Sequence, residues 1–319
     1  MAFEISGAGI ASARIGAHAE LDFQPLKPGT LSVSPLRDNV VDMDDFAAAV
    51  RAAASSAAAG RKRKDVALIL PDYATRMTVL DFDSFPSDAK EQASLVRFRV
   101  KRSVPFDVES AALSFFAQAA GGKKWDVVVV VAPLEVIARY EAPFRALGMN
   151  TGLVTTSSLA ALDLAPAEGL SVLAKLSGHT LSVLVRQQGV LKLTRSIELS
   201  ARDLEDVAAV LLPTFVYVED NLGGKAERLL LCGFGGQTEA VAARFSGELG
   251  VPAEPLRAAV GMPGESNAGL LGYLRAIGRQ PEGWHEPVAA YASSAAGAGG
   301  QVPFRESVAG SRRVSGENT

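Results

Sequence analysis

The chain has 319 residues, of which 48% are hydrophobic and 21% charged, and its formal net charge is −3. That length and balance support one large core or two moderate ones, and they exclude a general attraction to nucleic acid or acidic membranes. Cys232 is the only cysteine and His18, His179 and His285 are the only histidines, which leaves no intrachain disulfide and argues against a Cys/His zinc site. A reducing compartment is the expected home.

In chain order, Phe3 to Ile5 and Ile10 to Ile15 predict two strands joined by the turn Ser6-Gly7-Ala8-Gly9, and Leu31 to Val33 predicts a third. Dense alanines predict a helix over Met43 to Ser56, with Gly60 as its stop. The basic run Arg61-Lys62-Arg63-Lys64 reads as a solvated loop before a buried-type strand, Val66 to Leu70, which ends at Pro71-Asp72. Met77 to Phe82 alternates as a strand. Asp88 with Glu91 three residues on is a helix-opening pattern, and this decides for a helix ending before Pro105 although Val96 to Lys101 also alternates. Ala111 to Ala117 and Asp126 to Val131 predict strands about a Gly121-Gly122 turn, and Leu134 to Leu147 a helix stopped by Gly148.

The second half repeats the opening. Ser171 to Leu176 and Leu181 to Val185 predict strands about the turn Ser177-Gly178-His179-Thr180, and Val190 to Leu199 a further strand. Leu204 to Asn221 predicts a long helix with Pro213 as a kink or break. Arg228 to Leu231 predicts a buried strand running into Gly233-Phe234-Gly235-Gly236, followed by a helix from Thr238 to Leu249 closed by Gly250. The halves thus look like a duplication, with residues 77–149 inserted in the first, giving a body over 1–283 and a disordered Ala/Ser/Gly-rich tail over 284–319.

Three glycine-bearing turns form the one constellation that suggests chemistry. The turns at Ser6, Gly7 and Gly9 and at Ser177, Gly178, His179 and Thr180 could face a phosphate from two sides with bare backbone N–H groups. Gly233, Gly235 and Gly236 stand between a strand and a helix, where a nucleotide could rest on the helix N-terminus. Each turn also has a bland reading, since glycine serves turn dihedrals anyway. His179 reads as a turn-surface histidine, Asp81 and Asp83 as solvated, and Cys232 as a buried small hydrophobe.

These residues carry a resemblance. Ala2-Phe3-Glu4-Ile5-Ser6-Gly7 resembles the first phosphate loop of actin-like ATPases, and Leu230 to Gly236 their adenosine loop. Leu70-Pro71-Asp72, Ser103-Val104-Pro105-Phe106, Val129 to Pro133, Ala146 to Met149 and Ser158-Leu159-Ala160 are similar to the run typical of PilM-type proteins of type IV pilus assembly. The resemblance covers Ala2 to Arg279 and implies a two-lobed, actin-like (ribonuclease H-like) α/β fold. Its inserted strand–helix–strand–strand–helix subdomain, residues 77–149, would be the one PilM shares with the cell-division protein FtsA.

The resemblance further implies a cytoplasmic scaffold, peripheral to the inner membrane, that binds the tail of a PilN-like inner-membrane partner in a groove beside the insert and couples to motor components. Nucleotide-binding relatives carry Asp in both hairpins to hold hydrated Mg²⁺. The matching positions here are Glu4 and Lys175, and the customary glycine is Ser177. A cation in place of a metal-holding carboxylate argues against ATP turnover. Two alternatives remain on the same fold: an active ATPase or sugar kinase, and the cytoplasmic domain of an L-type protein of type II secretion.

Overall fold

The computed structural model describes residues 1–16, 19–57, 64–259 and 263–278. The Gly60 helix stop, the basic residues Arg61 to Arg63 and the tail over 284–319 lie outside these residues. The strands are β1 Ala2–Ile5, β2 Gly9–Ile15, β3 Ala19–Pro25, β4 Lys64–Leu70, β5 Arg76–Phe82, β6 Ala111–Ala119, β7 Trp125–Pro133, β8 Met149–Thr156, β9 Leu170–Ser177, β10 Thr180–Gln187, β11 Val190–Glu198, β12 Arg228–Cys232 and β13 Ala253–Pro255. The helices are α1 Met43–Ala57, α2 Ala89–Val100, α3 Leu134–Ala146, α4 Ser157–Ala161, α5 Leu204–Leu222, α6 Thr238–Leu249 and α7 Ala268–Ala276.

Two five-stranded sheets have the same plan: β3-β2-β1-β4-β8 in the first lobe and β11-β10-β9-β12-β13 in the second. In each, an antiparallel three-strand meander is followed by parallel strands. The duplication read from the sequence is therefore structural. Apolar residues of α1 and α3 cover one face of the first sheet, with Phe46, Val50, Tyr140 and Phe144 packed on Phe3, Ile5 and Leu68. Residues of α5 and α6 cover one face of the second, with Val207, Leu211, Phe215 and Phe245 on Val172, Val183 and Leu229. Burial of such faces supplies the main stabilisation of a layered fold.

The short pair α4 and α7 lies between the sheets. Leu270 and Leu274 of α7 pack on Ala2, Ala67 and Ile69 of the first lobe. Ala268 and Leu271 of the same helix join Ala161, Leu162, Leu173, Leu184 and Leu230 of the second. The two helices touch so closely that a Cβ on Gly272 would collide with the carbonyl of Ala160, and one on Gly269 would press at 2.8 Å on Ile69. Glycine is required at this crossing for space.

A three-stranded sheet, β5-β7-β6, is inserted into the first lobe. Val96 and Val100 of α2 pack on Val127, Val129 and Val131. Asp88 caps α2 by accepting the N–H groups of Lys90 and Glu91, so the capping signal rather than the alternation decided this segment. The insert is tied to β11 by Gln118, which exchanges two hydrogen bonds with the backbone of Leu191 at 2.9 and 3.2 Å. A Lys192–Asp126 ion pair at 2.6 Å adds a further tie.

Several expectations are corrected. The third strand is Ala19–Pro25, which pairs along the whole of β2, whereas Leu31 makes only one bridge, to Val40. Asn39 folds that segment locally by donating to the carbonyls of Ser34 and Arg37. The helix α3 buries its apolar face on the first sheet rather than in the insert. Pro213 leaves α5 unbroken. The carbonyl one turn back that its missing N–H would have bonded belongs to exposed Ala209, where water can serve it. The strands β8 and β13 and the helices α4 and α7 were not foreseen.

Gly272→Ala tests the crossing between the lobes. Alanine favours an isolated helix by about 1 kcal/mol, but overpacking against backbone costs about 1–3 kcal/mol or more. A net loss of about 2 kcal/mol is expected in urea denaturation. A variant as stable as the parent would show that α4 and α7 can separate freely.

Candidate functional site

Glu4 on β1 and Lys175 on β9 occupy corresponding places, each two residues before its hairpin turn and on the strand where the antiparallel meander meets the parallel strands. Both are buried at 1% exposure. One oxygen of Glu4 accepts the hydroxyl of Ser157 at the start of α4, and the other accepts the N–H of Leu270 in α7 at 2.7 Å. The Nζ of Lys175 lies 3.4 Å from Asp72, which follows β4 in a short turn.

Asp72 is the hub of this junction. Its Oδ1 accepts the N–H of Ser158 at 2.6 Å, and its Oδ2 accepts the Ser182 hydroxyl at 3.0 Å besides facing Lys175. Ser182 in turn shares a hydrogen bond with Ser196 on β11 at 3.0 Å. A residue of the first lobe thereby holds α4 and two strands of the second.

Charge follows this geometry. Burial pushes the Glu4 carboxyl above its ordinary value, and the Lys175 charge, Ser157 and the helix N–H groups offset only part of that push. Burial alone would lower Lys175, but the charges of Asp72 and Glu4 outweigh it and hold the ammonium above its ordinary value. Lys175 is therefore a charged, buried cation at neutral pH. The Cys232 thiol beside it is pushed up to about 12, chiefly by burial, and donates to the carbonyl of Pro263 at 3.3 Å. Its reading as a buried small residue stands.

The second and third glycine turns meet at Glu265, and in each of the three turns some backbone groups are engaged while others stay exposed. In the first turn Ser6 and Gly9 close the hairpin on each other, through backbone bonds and the Ser6 hydroxyl, while Gly7 and Ala8 stay exposed. Gly9 is needed for space, since a Cβ would press at 2.5 Å on the Gln24 carbonyl and the Phe23 ring. In the second turn the N–H of Gly178 donates to the Glu265 carboxylate at 3.1 Å, and the Ser177 hydroxyl donates to the Glu265 carbonyl at 3.0 Å. Arg202 holds the same carboxylate at 3.1 Å. His179 is exposed, and Thr180 pairs in register with Ser177 and Glu198. In the third turn Gly233 has φ +84° and lies so close to Leu176 that a Cβ would collide with its carbonyl. Gly235 and Gly236 are exposed, and the Gly235 carbonyl accepts the Thr238 hydroxyl at 2.6 Å as α6 begins.

These residues do not fit hydrated magnesium with a polyphosphate. Both Glu4 oxygens hold partners, an ammonium stands where the second carboxylate would be, and a carboxylate of the chain itself occupies the amide that would face phosphate. The sequence reading missed Asp72, Ser157, Ser182, Arg202 and Glu265. Asp72 carried a signal, as a lone acid just beyond the C-terminal end of a buried parallel strand, where α/β sites gather. Glu265 carried none.

Twin sheets of one plan, with a small three-stranded insert in the first, define a two-lobed actin-like fold. The chain superposes on one of the PilM–PilN type IV pilus biogenesis complex with a TM-score of 0.68 and 18% identity, covering 86% of this chain and 97% of that one. An actin-like ATPase-fold protein of unknown function from Bacteroides thetaiotaomicron matches at TM-score 0.49 and 13% identity, over 80% of this chain and 89% of that one. The cytoplasmic domain of EpsL, an inner-membrane component of the Vibrio cholerae type II secretion system, matches at 0.45 and 16%, over 72% and 80%. At such identities the likeness is one of fold. No protein-family model matches the sequence, and no curated protein matches it significantly.

The buried pair is open to test by Lys175→Met. Removing one partner of a buried ion pair costs about 3–5 kcal/mol, which urea denaturation at neutral pH should show. The loss should also depend on pH. Glu4 has a folded pKa above its ordinary 4.5, so its contribution is present below that value and is lost as pH rises through the folded pKa. Without the ammonium the folded pKa climbs further, so the variant should lose stability more steeply than the parent as pH rises from 4.5. A neutral-pH loss under about 1 kcal/mol would mean that the pair contributes little.

Proposed function

We propose that this protein is a scaffold of type IV pilus or related secretion assembly, which binds the cytoplasmic tail of a PilN-like inner-membrane protein and does not turn over ATP. The observation that carries this reading is the buried Glu4, Lys175 and Asp72 cluster, with Glu265 on the Gly178 N–H: the cleft is a seam between lobes. Phosphoryl transfer needs a metal and a fixed phosphate, and the residues here are committed to holding α4, α7 and two strands together. Whole-chain likeness to a member of a PilM–PilN complex supports the choice of process.

Among the described residues no helix is long and apolar enough to cross a membrane. Attachment to the inner membrane, in this reading, comes through the partner. The partner's tail lies as an extended segment against the insert, held by main-chain hydrogen bonds and apolar side chains. The seam then keeps the surfaces that meet membrane and motor components in one geometry.

Two titrations test the proposal. A synthetic N-terminal tail of the inner-membrane protein encoded beside this one should bind saturably in calorimetry, while Mg-ATP should give neither heat nor released phosphate. Steady phosphate release that Glu4→Ala abolishes would establish the enzyme reading instead. Absence of tail binding would remove the scaffold reading.

A further inference from the structure

Three sheets leave six outer strands: β3 and β8, β11 and β13, and β5 and β6. An outer strand presents backbone N–H and C=O groups that a strand of another chain can pair with, and proteins blunt such edges with charge, proline, bulges or short length. Five of the six carry such a device. β3 has Glu20, Asp22 and Pro25, β5 has Arg76 and Asp81, and β11 has Lys192, Arg195 and Glu198. β13 is three residues long and ends in proline. β8 is uncharged but has an extra residue, Gly152, where its register with β4 shifts.

β6 has none of these. It runs for nine residues, Ala111–Ala119, in unbroken register with β7, and no residue from Ser110 to Gly122 is charged. Among the described residues, the backbone from Ala112 to Gln118 hydrogen-bonds to β7 alone. Gln118 exchanges bonds with Leu191 through its side chain, which seats the strand on the second lobe without using its backbone edge.

The side chains along this edge suit a copy of itself. Leu113 and Phe115 join the core under α2. Side chains alternate along a strand, so Phe116 stands on the opposite face, where it is 46% exposed, with Ser114 exposed beside it. Two copies related by a two-fold axis bring the same surface together, so an edge that carries charge repels its own copy. The β6 edge meets its copy without that repulsion. A foreign strand selected by charge finds nothing on β6 to select it.

We propose that β6 pairs antiparallel with β6 of a second copy of this chain, across a two-fold axis at Phe116, joining two three-stranded sheets into one of six strands. Phe116 is the midpoint of the uncharged stretch from Ser110 to Gly122, so an axis there matches both stretches along their full length. It also sets the two Phe116 rings side by side, and cross-strand aromatic pairs are favourable. Each β6 has one free edge, so the contact closes at two copies. The pairing goes beyond the scaffold reading and does not depend on it.

Sedimentation equilibrium of the full chain tests this. The average mass should rise from the 33.3 kDa of one chain toward twice that value with concentration. A seam of one strand pair lies at the small end of interfaces, below about 1,200 Å², so concentrations up to about 200 µM are needed. Phe116→Lys and Phe116→Glu should each raise the dissociation constant about tenfold, because like charges then stand opposite each other and the ring pair is lost. An equimolar mixture of these two variants should associate more tightly than either alone, since a residue that faces its own copy then sets Lys against Glu. Circular dichroism verifies that the variants are folded. Ser114→Lys, also at an exposed position of the same strand, keeps the test decisive if the Phe116 variants unfold.

A parent chain that stays monomeric at about 200 µM would overturn the pairing. So would a dimer that ignores Phe116→Lys and Ser114→Lys, which would place the contact on another surface. A mixture of the Lys and Glu variants no tighter than its components would refute the axis at Phe116. Growth beyond two copies would refute a closed two-fold. A dimer that responds to these variants while the neighbouring protein's tail fails to bind supports the pairing and removes the scaffold reading alone.

Discussion

A buried ammonium facing a buried carboxylate holds the lobes of this protein together. Taking Lys175 and Asp72 out of water costs several kcal/mol per ion, and their attraction repays this only when the remaining donors and acceptors are satisfied. Asp72 meets that condition, with the Ser158 N–H, the Ser182 hydroxyl and the Lys175 ammonium around one carboxylate. Glu4 adds a second negative charge that acts on Lys175 and uses its own oxygens on α4 and α7. An apolar plug could hold the lobes as tightly but would tolerate sliding. An ion pair with several directed hydrogen bonds fixes one registration of β4, α4, α7 and β10.

The duplicated plan explains how such a pair arises. Glu4 and Lys175 stand at matching positions of two sheets that run β3-β2-β1-β4-β8 and β11-β10-β9-β12-β13. Two carboxylates at these places would repel each other across the cleft unless a cation stood between them. Here one of the two positions supplies the cation itself. The segment after residue 262 completes the seam, with Glu265 on Gly178 and Arg202, and Pro263 against Cys232. In the two hairpin turns, Ser6 and Gly9 are thus taken by hairpin closure and the Gly178 amide by Glu265.

What the sequence made legible follows from the range of the interactions involved. The capped helix α2, the hairpins about Ser6 and Ser177 and the duplicated halves depend on local pattern, and all were readable. The strand β8 was not, because Met149–Thr156 mixes glycine and polar residues and becomes a strand only by lying beside β4. The glycines of α7 read as weak helix residues until Ala160 is seen against Gly272. Within the site, the charge reversal at Lys175 was visible, but its partner was not. Asp72 is 103 positions away in sequence. One sequence carries no sign of a pairing over that distance.

The seam also bears on the outer surface. Asp72 precedes Arg76 by four positions, with Tyr73 between them stacked beneath the arginine. Ser182, bound to Asp72, passes the contact to Ser196, which stands beside Arg195 on β11. The bonds around Asp72 thus run from the end of β4 through β10 to β11, so the seat of β11 against the first lobe depends on a carboxylate two hydrogen bonds away.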